Sequence, residues 1–308
     1  MHETKHIGVY RGIEGKRVLV TGAGRGMGKM VALGFIRNGA RVHICDVDRS
    51  RLDAFKKEEP SIGTSLTDIS DPAQVDGLFG DIDRSMSGLD IVMNNTGIGG
   101  PRGPIEDVAI DDWNQAMAVN VNGAFHVVRR AVPMIKAAGG GSIVINASTS
   151  GLMGHPYSIT YAATKFAVVG MARSLAMELG GHGIRVNTIC PGPVFSTRQE
   201  ERMKSEAQAQ GISVREARER YFMTFGLSLS LPNVIDAEDI ANMVLFVCSD
   251  AGSKITGQSL RVDGDTQTLV EPPPMALLLK ADPSAKVPQT DGRYLEEAKA
   301  RFHGRYKD

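Results

Sequence analysis

Charge imbalance is absent from this chain: among 308 residues, 35 Lys plus Arg stand against 35 Asp plus Glu. No net field favours nucleic acid or an anionic membrane, so neither is expected as a partner. Cysteine is scarce. Cys45, Cys190 and Cys248 are odd in number and irregularly spaced, which excludes a disulfide framework, and no Cys-x-x-Cys or Cys/His cluster points to a metal. Each lies in an apolar segment, so buried free thiols in a reducing compartment are expected. No run reaches the ~18 apolar residues that a membrane helix needs, and residues 1–16 contain no apolar leader core. A cytoplasmic location follows as the expectation.

What is present is core-forming material and glycine. Hydrophobic residues make up 42%, enough for a sizeable core in one or two domains. The 35 glycines exceed the average of ~7%, which implies many tight turns and close backbone approaches. Strand-like apolar runs occur at 17–21, 41–46, 89–94, 142–147, 184–190 and 258–262, with a weaker one at 64–66. Helical patterns lie between them, at 27–38, 50–57, 72–86, 111–137, 158–180 and 237–249. Strands that are apolar throughout fit a parallel sheet covered on both faces. The fold class predicted is α/β: a single Rossmann-type doubly wound parallel sheet flanked by helices. Its ligand belongs at the carboxyl ends of the strands, near the topological switch point.

Two regions break this rhythm. Residues 196–232 form a polar, helix-prone insertion, read as a substrate lid because long loops at strand carboxyl ends commonly serve that role. From Leu269 the chain runs through Glu271-Pro272-Pro273-Pro274 to a segment where Tyr294, Leu295, Ala298 and Phe302 share a helical face. This is read as a C-terminal extension, 269–308, beyond one catalytic domain, 1–268, because about 40 residues make a poor independent core.

The first strand leads into Thr21-Gly22-Ala23-Gly24-Arg25-Gly26-Met27-Gly28 and then a helix. Glycines at such a junction allow a tight turn and let backbone N–H groups reach a pyrophosphate at the helix N-terminus. Asp46 closes the second strand, where a dinucleotide site needs a carboxylate for the adenosine ribose hydroxyls; a turn-forming Asp is the plainer alternative. A carboxylate there repels a 2′-phosphate and Asp48 adds a second charge, so NAD is the expected cofactor, with Arg25 and Arg49 as the counter-argument. Asp68 could meet the adenine edge or simply form the turn before Pro72. Asn94 and Asn95, in Asn94-Asn95-Thr96-Gly97, either stitch the sheet edge together or line the cofactor. Asn120 is a helix-disfavoured residue within a helical pattern. Tyr161 and Lys165, four apart, share a helix face, and Ser148 ends an apolar run upstream. Taken alone, the Tyr/Lys pair is more often ordinary helix surface.

Together, these residues resemble the short-chain dehydrogenase/reductase family. The matching elements are Thr-Gly-x-x-x-Gly-x-Gly from Thr21, Asn-Asn-x-Gly from Asn94, Asn120, Ser148 and Tyr-x-x-x-Lys at Tyr161–Lys165. They continue through Ile184-Arg185-Val186-Asn187, Pro191-Gly192-Pro193-Val194 and Val262-Asp263-Gly264, so the resemblance spans residues 15–266 in order. The extended branch expects Thr-Gly-x-x-Gly-x-x-Gly and fits less well, because position 25 is Arg. The enoyl reductase branch also fits less well, because its catalytic Tyr and Lys stand further apart than Tyr161 and Lys165. Where the family often has a third glycine after Val-Asp-Gly, this chain has Asp265.

The resemblance implies an NAD-dependent oxidoreductase interconverting a secondary alcohol and a ketone. A free phenol is a weak base near neutrality, its ordinary pKa being about 10; an ammonium one turn away stabilises the phenolate. Tyr161 would then be the acid/base and Ser148 would hold the substrate oxygen. By resemblance, Lys165 also grips the nicotinamide ribose and Asn120 holds a water leading to Lys165. The implied cofactor wall comprises Gly22, Arg25, Gly26, Met27, Gly28, Asp46, Asp68, Ile69, Asn94, Asn95, Gly97, Tyr161, Lys165, Pro191 and Val194. Ser196 or Thr197 would take the carboxamide.

Candidate substrate-wall residues are Ser150, Met153, Tyr157, Phe195, Met203, Phe222 and Phe225, with Tyr221 and Met223 beside them. They suggest a bulky apolar or cyclic substrate; equally, the Met and Phe residues pack the insertion down. His155 is read as a turn residue. An NADP(H)-preferring carbonyl reductase and a non-catalytic dinucleotide-binding regulator are the alternatives. Family members are commonly dimers or tetramers, so a homo-oligomer is expected.

Overall fold

The computed structural model describes residues 7–194, 197–214, 217 and 235–265. Phe195, Ser196, Tyr221, Phe222, Met223, Phe225 and the extension from residue 269 lie outside them.

Seven strands form one sheet: β1 (Arg17–Thr21), β2 (Arg41–Asp46), β3 (Gly63–Leu66), β4 (Ile91–Asn94), β5 (Gly141–Asn146), β6 (Ile184–Pro191) and β7 (Ser259–Val262). Their order is β3-β2-β1-β4-β5-β6-β7, and every pairing is parallel. The chain moves outward from β1 to β3 and then returns to place β4 on the other side of β1. The reversal puts the switch point at the carboxyl ends of β1 and β4, where a ligand crevice opens in such sheets.

The strands carry apolar side chains on both faces because both are covered. Side chains alternate across a strand, and the core divides accordingly. Val18, Val20, Ile44, Met93, Val144 and Ile189 pack with α1 (Gly26–Arg37), α2 (Arg49–Glu58) and the helix at Ala237–Cys248. Leu19, Cys45, Val92, Ile143 and Ile145 pack with α3 (Pro72–Met86) and, further along the chain, with helices at Gly123–Ala137 and Ile159–Leu179. Helix starts follow local chemistry: Asp48 caps α2, and Asp71 caps α3 with Pro72 in its first turn.

The single helix expected over 111–137 is interrupted. It is α4 (Ile110–Met117), a π turn (Ala118–Asn122) and α5 (Gly123–Ala137). The wider turn holds Asn120, which is buried and bonded to the loop after β4. An inserted residue of this kind commonly marks a functional site. Next come α6 (Ile159–Leu179), α7 (Thr197–Gln210) and α8 (Ala237–Cys248).

The chain divides into two compact units, residues 1–200 with 235–263 and residues 201–234 with 264–308. The first holds the sheet. In the described part of the second, Met203 and Ala207, one turn apart on α7, are buried. There too Asp265 stands in place of the family's glycine with φ +59°, the left-handed region that Asp reaches more readily than most side chains. Among the described residues, no helix is long and apolar enough to cross a membrane, and no group of three His, Cys, Asp or Glu could hold a metal. The three cysteines are free and buried.

Candidate active site

At the switch point a cleft of about 600 Å³ opens. Its floor is the turn from β1 into α1. Gly22 and Gly26 take φ +59°, and a Cβ on Gly28 would sit 2.5 Å from the Gly22 carbonyl oxygen, so the helix start presses on the turn as only glycine permits. Among the described residues, no side-chain hydrogen bond caps the start of α1. Its first N–H groups are therefore left for an anion, and the helix dipole favours one.

Asp46 and Arg51 stand on the same cleft. The Asp46 carboxylate is nearly buried; Oδ2 accepts from Gly24 N–H at 3.0 Å and Oδ1 from Asp48 N–H at 3.1 Å. Asp46 is thus also the clasp that holds the glycine turn against β2. Arg51 Nη1 lies 3.7 Å from Asp46 Oδ1, and its Nε lies 3.0 Å from Asp48 Oδ2. The Ser50 hydroxyl, the Arg51 N–H and the Arg51 charge hold the Asp48 carboxyl below its ordinary range.

At the opposite end of the cleft stand Ser148, Tyr161 and Lys165. Ser148 follows β5 and caps a short 3₁₀ turn, its Oγ accepting from Ser150 N–H at 3.1 Å. Tyr161 and Lys165 occupy one face of α6, with Lys165 Nζ 5.4 Å from the Tyr161 ring centre. Lys165 is only 3% exposed; its ammonium donates to the Asn146 carbonyl at 2.7 Å, which offsets part of its desolvation. The nearby Cys190 thiol is pushed up by burial and Cys45 is pushed up to about 12, which leaves neither as a nucleophile at neutral pH.

Behind this group the Asn120 amide bonds both Ile98 backbone groups and the Thr164 hydroxyl. Asn95 joins the two halves of the cleft. Its Nδ2 donates to the Thr21 and Gly22 carbonyls, and its Oδ1 accepts from Asn146 Nδ2 at 3.2 Å.

The cleft wall contains Gly22, Arg25, Gly26, Met27, Gly28, Asp46, Asn95, Gly97, Ser148, Tyr161, Lys165, Pro191 and Val194 from the residues expected of it. Asp68, Ile69 and Asn94 are not in that wall. The Asp68 carboxylate accepts from the Ser70 N–H and hydroxyl within its own turn, and Thr67, its neighbour, lines the cleft. Ile69 is core. Asn94 stitches β4 to β1 through the Thr21 hydroxyl. Asn120 stands behind the wall, Thr197 opens α7, and Ser150, Met153 and Tyr157 are also outside the wall. Tyr157 has φ +58°, and His155 Nδ1 lies 3.1 Å from Ser150 Oγ, so His155 braces the turn that carries Ser148. Arg51, Thr67 and Asn146 line the cleft without having been singled out from the sequence. Arg51 carried one usable signal, its place three residues after the capping Asp48.

Comparison with known proteins agrees with this geometry. A family sequence model described as enoyl-(acyl carrier protein) reductase matches residues 22–265. The 2,3-dihydro-2,3-dihydroxybenzoate dehydrogenase of Escherichia coli strain K12 is 34% identical over 250 residues, covering 81% of this chain and 96% of that protein. An L-sorbose reductase from Gluconobacter frateurii, solved with NADPH and L-sorbose, superposes with TM-score 0.78 at 28% identity, covering 83% of this chain and 98% of its own. A 7α-hydroxysteroid dehydrogenase solved with NADH and 7-oxo glycochenodeoxycholic acid gives TM-score 0.73 at 28% identity, covering 82% and 95%. The chain belongs to the short-chain dehydrogenase/reductase family, with the family's dinucleotide-binding oxidoreductase fold.

Proposed function

We propose that this protein is an NAD(H)-dependent dehydrogenase that interconverts a secondary alcohol and a ketone on a bulky, cyclic substrate. The observation that carries the reading is one cleft with an uncapped helix start and Asp46 at one end and Ser148, Tyr161 and Lys165 at the other. The residues fit a nicotinamide dinucleotide: glycine turn and α1 N-terminus for the pyrophosphate, Asp46 for the adenosine ribose, Lys165 for the second ribose. When bound, that group supplies hydride acceptance and donation.

The chain's own residues manage the proton. As the phenolate, Tyr161 Oη takes the proton of the substrate hydroxyl during oxidation and becomes the phenol; during reduction the phenol returns that proton. The Lys165 ammonium stabilises the phenolate form that accepts the proton. Ser148 Oγ donates a hydrogen bond to the substrate oxygen as charge develops there. Asn120 holds the loop at Ile98 and, through Thr164, the helix carrying Tyr161 and Lys165. A ring-shaped substrate is supported by the dihydroxybenzoate and steroid relatives; L-sorbose keeps a polar polyol as a second possibility. NADP(H) preference is the second reading, favoured by Arg25 and Arg51 on the cleft. Enoyl reduction, named by the family model, is supported less, because Tyr161 and Lys165 have the closer spacing.

A homo-oligomer belongs to this reading, supported by the exposed Phe125 of α5 and Phe166 of α6; a monomer in sedimentation would contradict it. The test of activity is nicotinamide absorbance with NAD⁺ and NADP⁺ in parallel against cyclic secondary alcohols and polyols. Turnover of a cyclic alcohol with NAD⁺ is expected. No turnover of any alcohol with either nucleotide would count against the reading.

A further inference from the structure

Asp46 is not a bare carboxylate waiting for a ribose. Both its oxygens accept backbone N–H groups, from Gly24 and from Asp48, and a guanidinium stands 3.7 Å from one of them. That guanidinium belongs to Arg51, which is held more tightly by Asp48, at 3.0 Å, than by Asp46. The Arg51 side chain is about one-third exposed, 34%, and lines the cleft beside Asp46 and Val47. Two carboxylates and one guanidinium therefore share this corner, with a local sum of one negative charge. The arginine is on the first turn of α2, one turn from the residue that caps it.

A ribose with free 2′- and 3′-hydroxyls adds no charge and needs only acceptors. A 2′-phosphate adds close to two negative charges and needs a fork of donors, which a guanidinium provides and a carboxylate does not. We propose that Arg51 is the residue that sets how far this site tolerates a 2′-phosphate, and that Asp48 suppresses that tolerance by keeping the guanidinium engaged. The inference rests on the dinucleotide reading of the cleft. It assigns the discrimination to the Asp48–Arg51 pair as well as to repulsion by Asp46. With Asp48 neutral, the corner changes by one charge and the guanidinium fork turns to the phosphate; with Arg51 neutral, the phosphate meets two carboxylates and loses the one α2 cation that lines the cleft.

The experiment is equilibrium titration of the protein with NAD⁺, NADP⁺ and the fragment adenosine 2′,5′-bisphosphate, read by calorimetry. Asp48→Asn keeps a good helix cap while removing the charge, so folding is retained. It is expected to tighten NADP⁺ and the bisphosphate about tenfold or more, with NAD⁺ within about twofold. Arg51→Gln is expected to weaken both 2′-phosphate ligands about tenfold and again to spare NAD⁺. Thermal unfolding of both variants checks that the fold is intact. A ratio of NAD⁺ to NADP⁺ affinity unmoved by Arg51→Gln, with NAD⁺ still bound, overturns this inference alone. Wild-type protein that binds neither dinucleotide overturns the reading of the cleft and the inference with it.

Discussion

The Asn120 side chain clasps the backbone of Ile98 at both of its polar groups, Oδ1 accepting from N–H at 2.8 Å and Nδ2 donating to C=O at 2.8 Å. A third bond, Nδ2 to Thr164 Oγ1 at 3.0 Å, ties the same amide to α6. This arrangement fixes the amide's orientation, since a flipped amide would put its nitrogen against the Ile98 N–H and its oxygen against the Ile98 carbonyl. The π turn and the loop after β4 therefore depend on one side chain.

Replacing Asn120 with Leu removes all three bonds and leaves the Ile98 amide groups without their partner. The two Ile98 groups are part-buried, so each left unmet costs toward the lower end of about 1–3 kcal/mol. Urea denaturation is expected to show a loss of roughly 2–4 kcal/mol, together with a fall in turnover. A stability within 0.5 kcal/mol of the parent, on the order of an ordinary surface change, would contradict the structural role given to Asn120.

The contact between Gly28 and Gly22 predicts intolerance at position 28. A Cβ there meets the Gly22 carbonyl oxygen at 2.5 Å and Asn95 Nδ2 at 2.6 Å, and neither neighbour can withdraw without opening the turn. Gly28→Ala is expected to weaken NAD⁺ binding at least tenfold, on the order of 1.4 kcal/mol, and to lower stability by about 1–3 kcal/mol. Calorimetry and thermal unfolding measure the two separately.

His43 makes the fold sensitive to acid. It is 3% exposed, and burial pushes its imidazole down to about 4, against a partial upward pull from Asp81. The Ser65 hydroxyl donates to Asp81 Oδ2 at 2.6 Å, so His43 Nε2, 2.9 Å away, carries the proton toward Ser65. Between pH 6.5 and 4 the unfolded chain binds a proton here and the native one does not. Stability is therefore full above the unfolded value and falls as the pH drops through that window. A shift from 6.5 to about 4 corresponds to roughly 3 kcal/mol at 1.36 kcal/mol per unit. Urea midpoints at pH 7, 5.5 and 4.5 should decline, and His43→Gln should flatten the decline.

Much of the fold was legible because its strands are short runs of buried apolar residues bounded by turns. Runs at 17–21 and 41–46 coincide with β1 and β2 because Gly22, Gly39 and Asp46 punctuate them chemically. The π turn at Asn120 left no periodic trace, since one inserted residue shifts the apolar stripe by less than the pattern's own scatter. In the candidate site, a glycine turn and a Tyr/Lys pair at helical spacing are local features that can be read directly. Arg51, Thr67 and Asn146 reach the cleft only through tertiary placement. Asp68 poses the opposite problem: a strand-end carboxylate has the same local signature whether it faces a ligand or binds its own turn, and in the structure it accepts from Ser70.

The central claim is that Tyr161 moves the proton while the rest of the cleft binds the dinucleotide. Tyr161→Phe deletes one oxygen from a helix whose neighbours are otherwise unchanged. The decisive measurement sets kcat/KM for a cyclic secondary alcohol beside the Kd for NAD⁺ in this variant. The account predicts a loss of about 10²–10⁴-fold or more in kcat/KM, the span of general acid–base contributions, with Kd within a few-fold of the parent. Turnover retained at parental levels, or dinucleotide binding lost in step with activity, would contradict it.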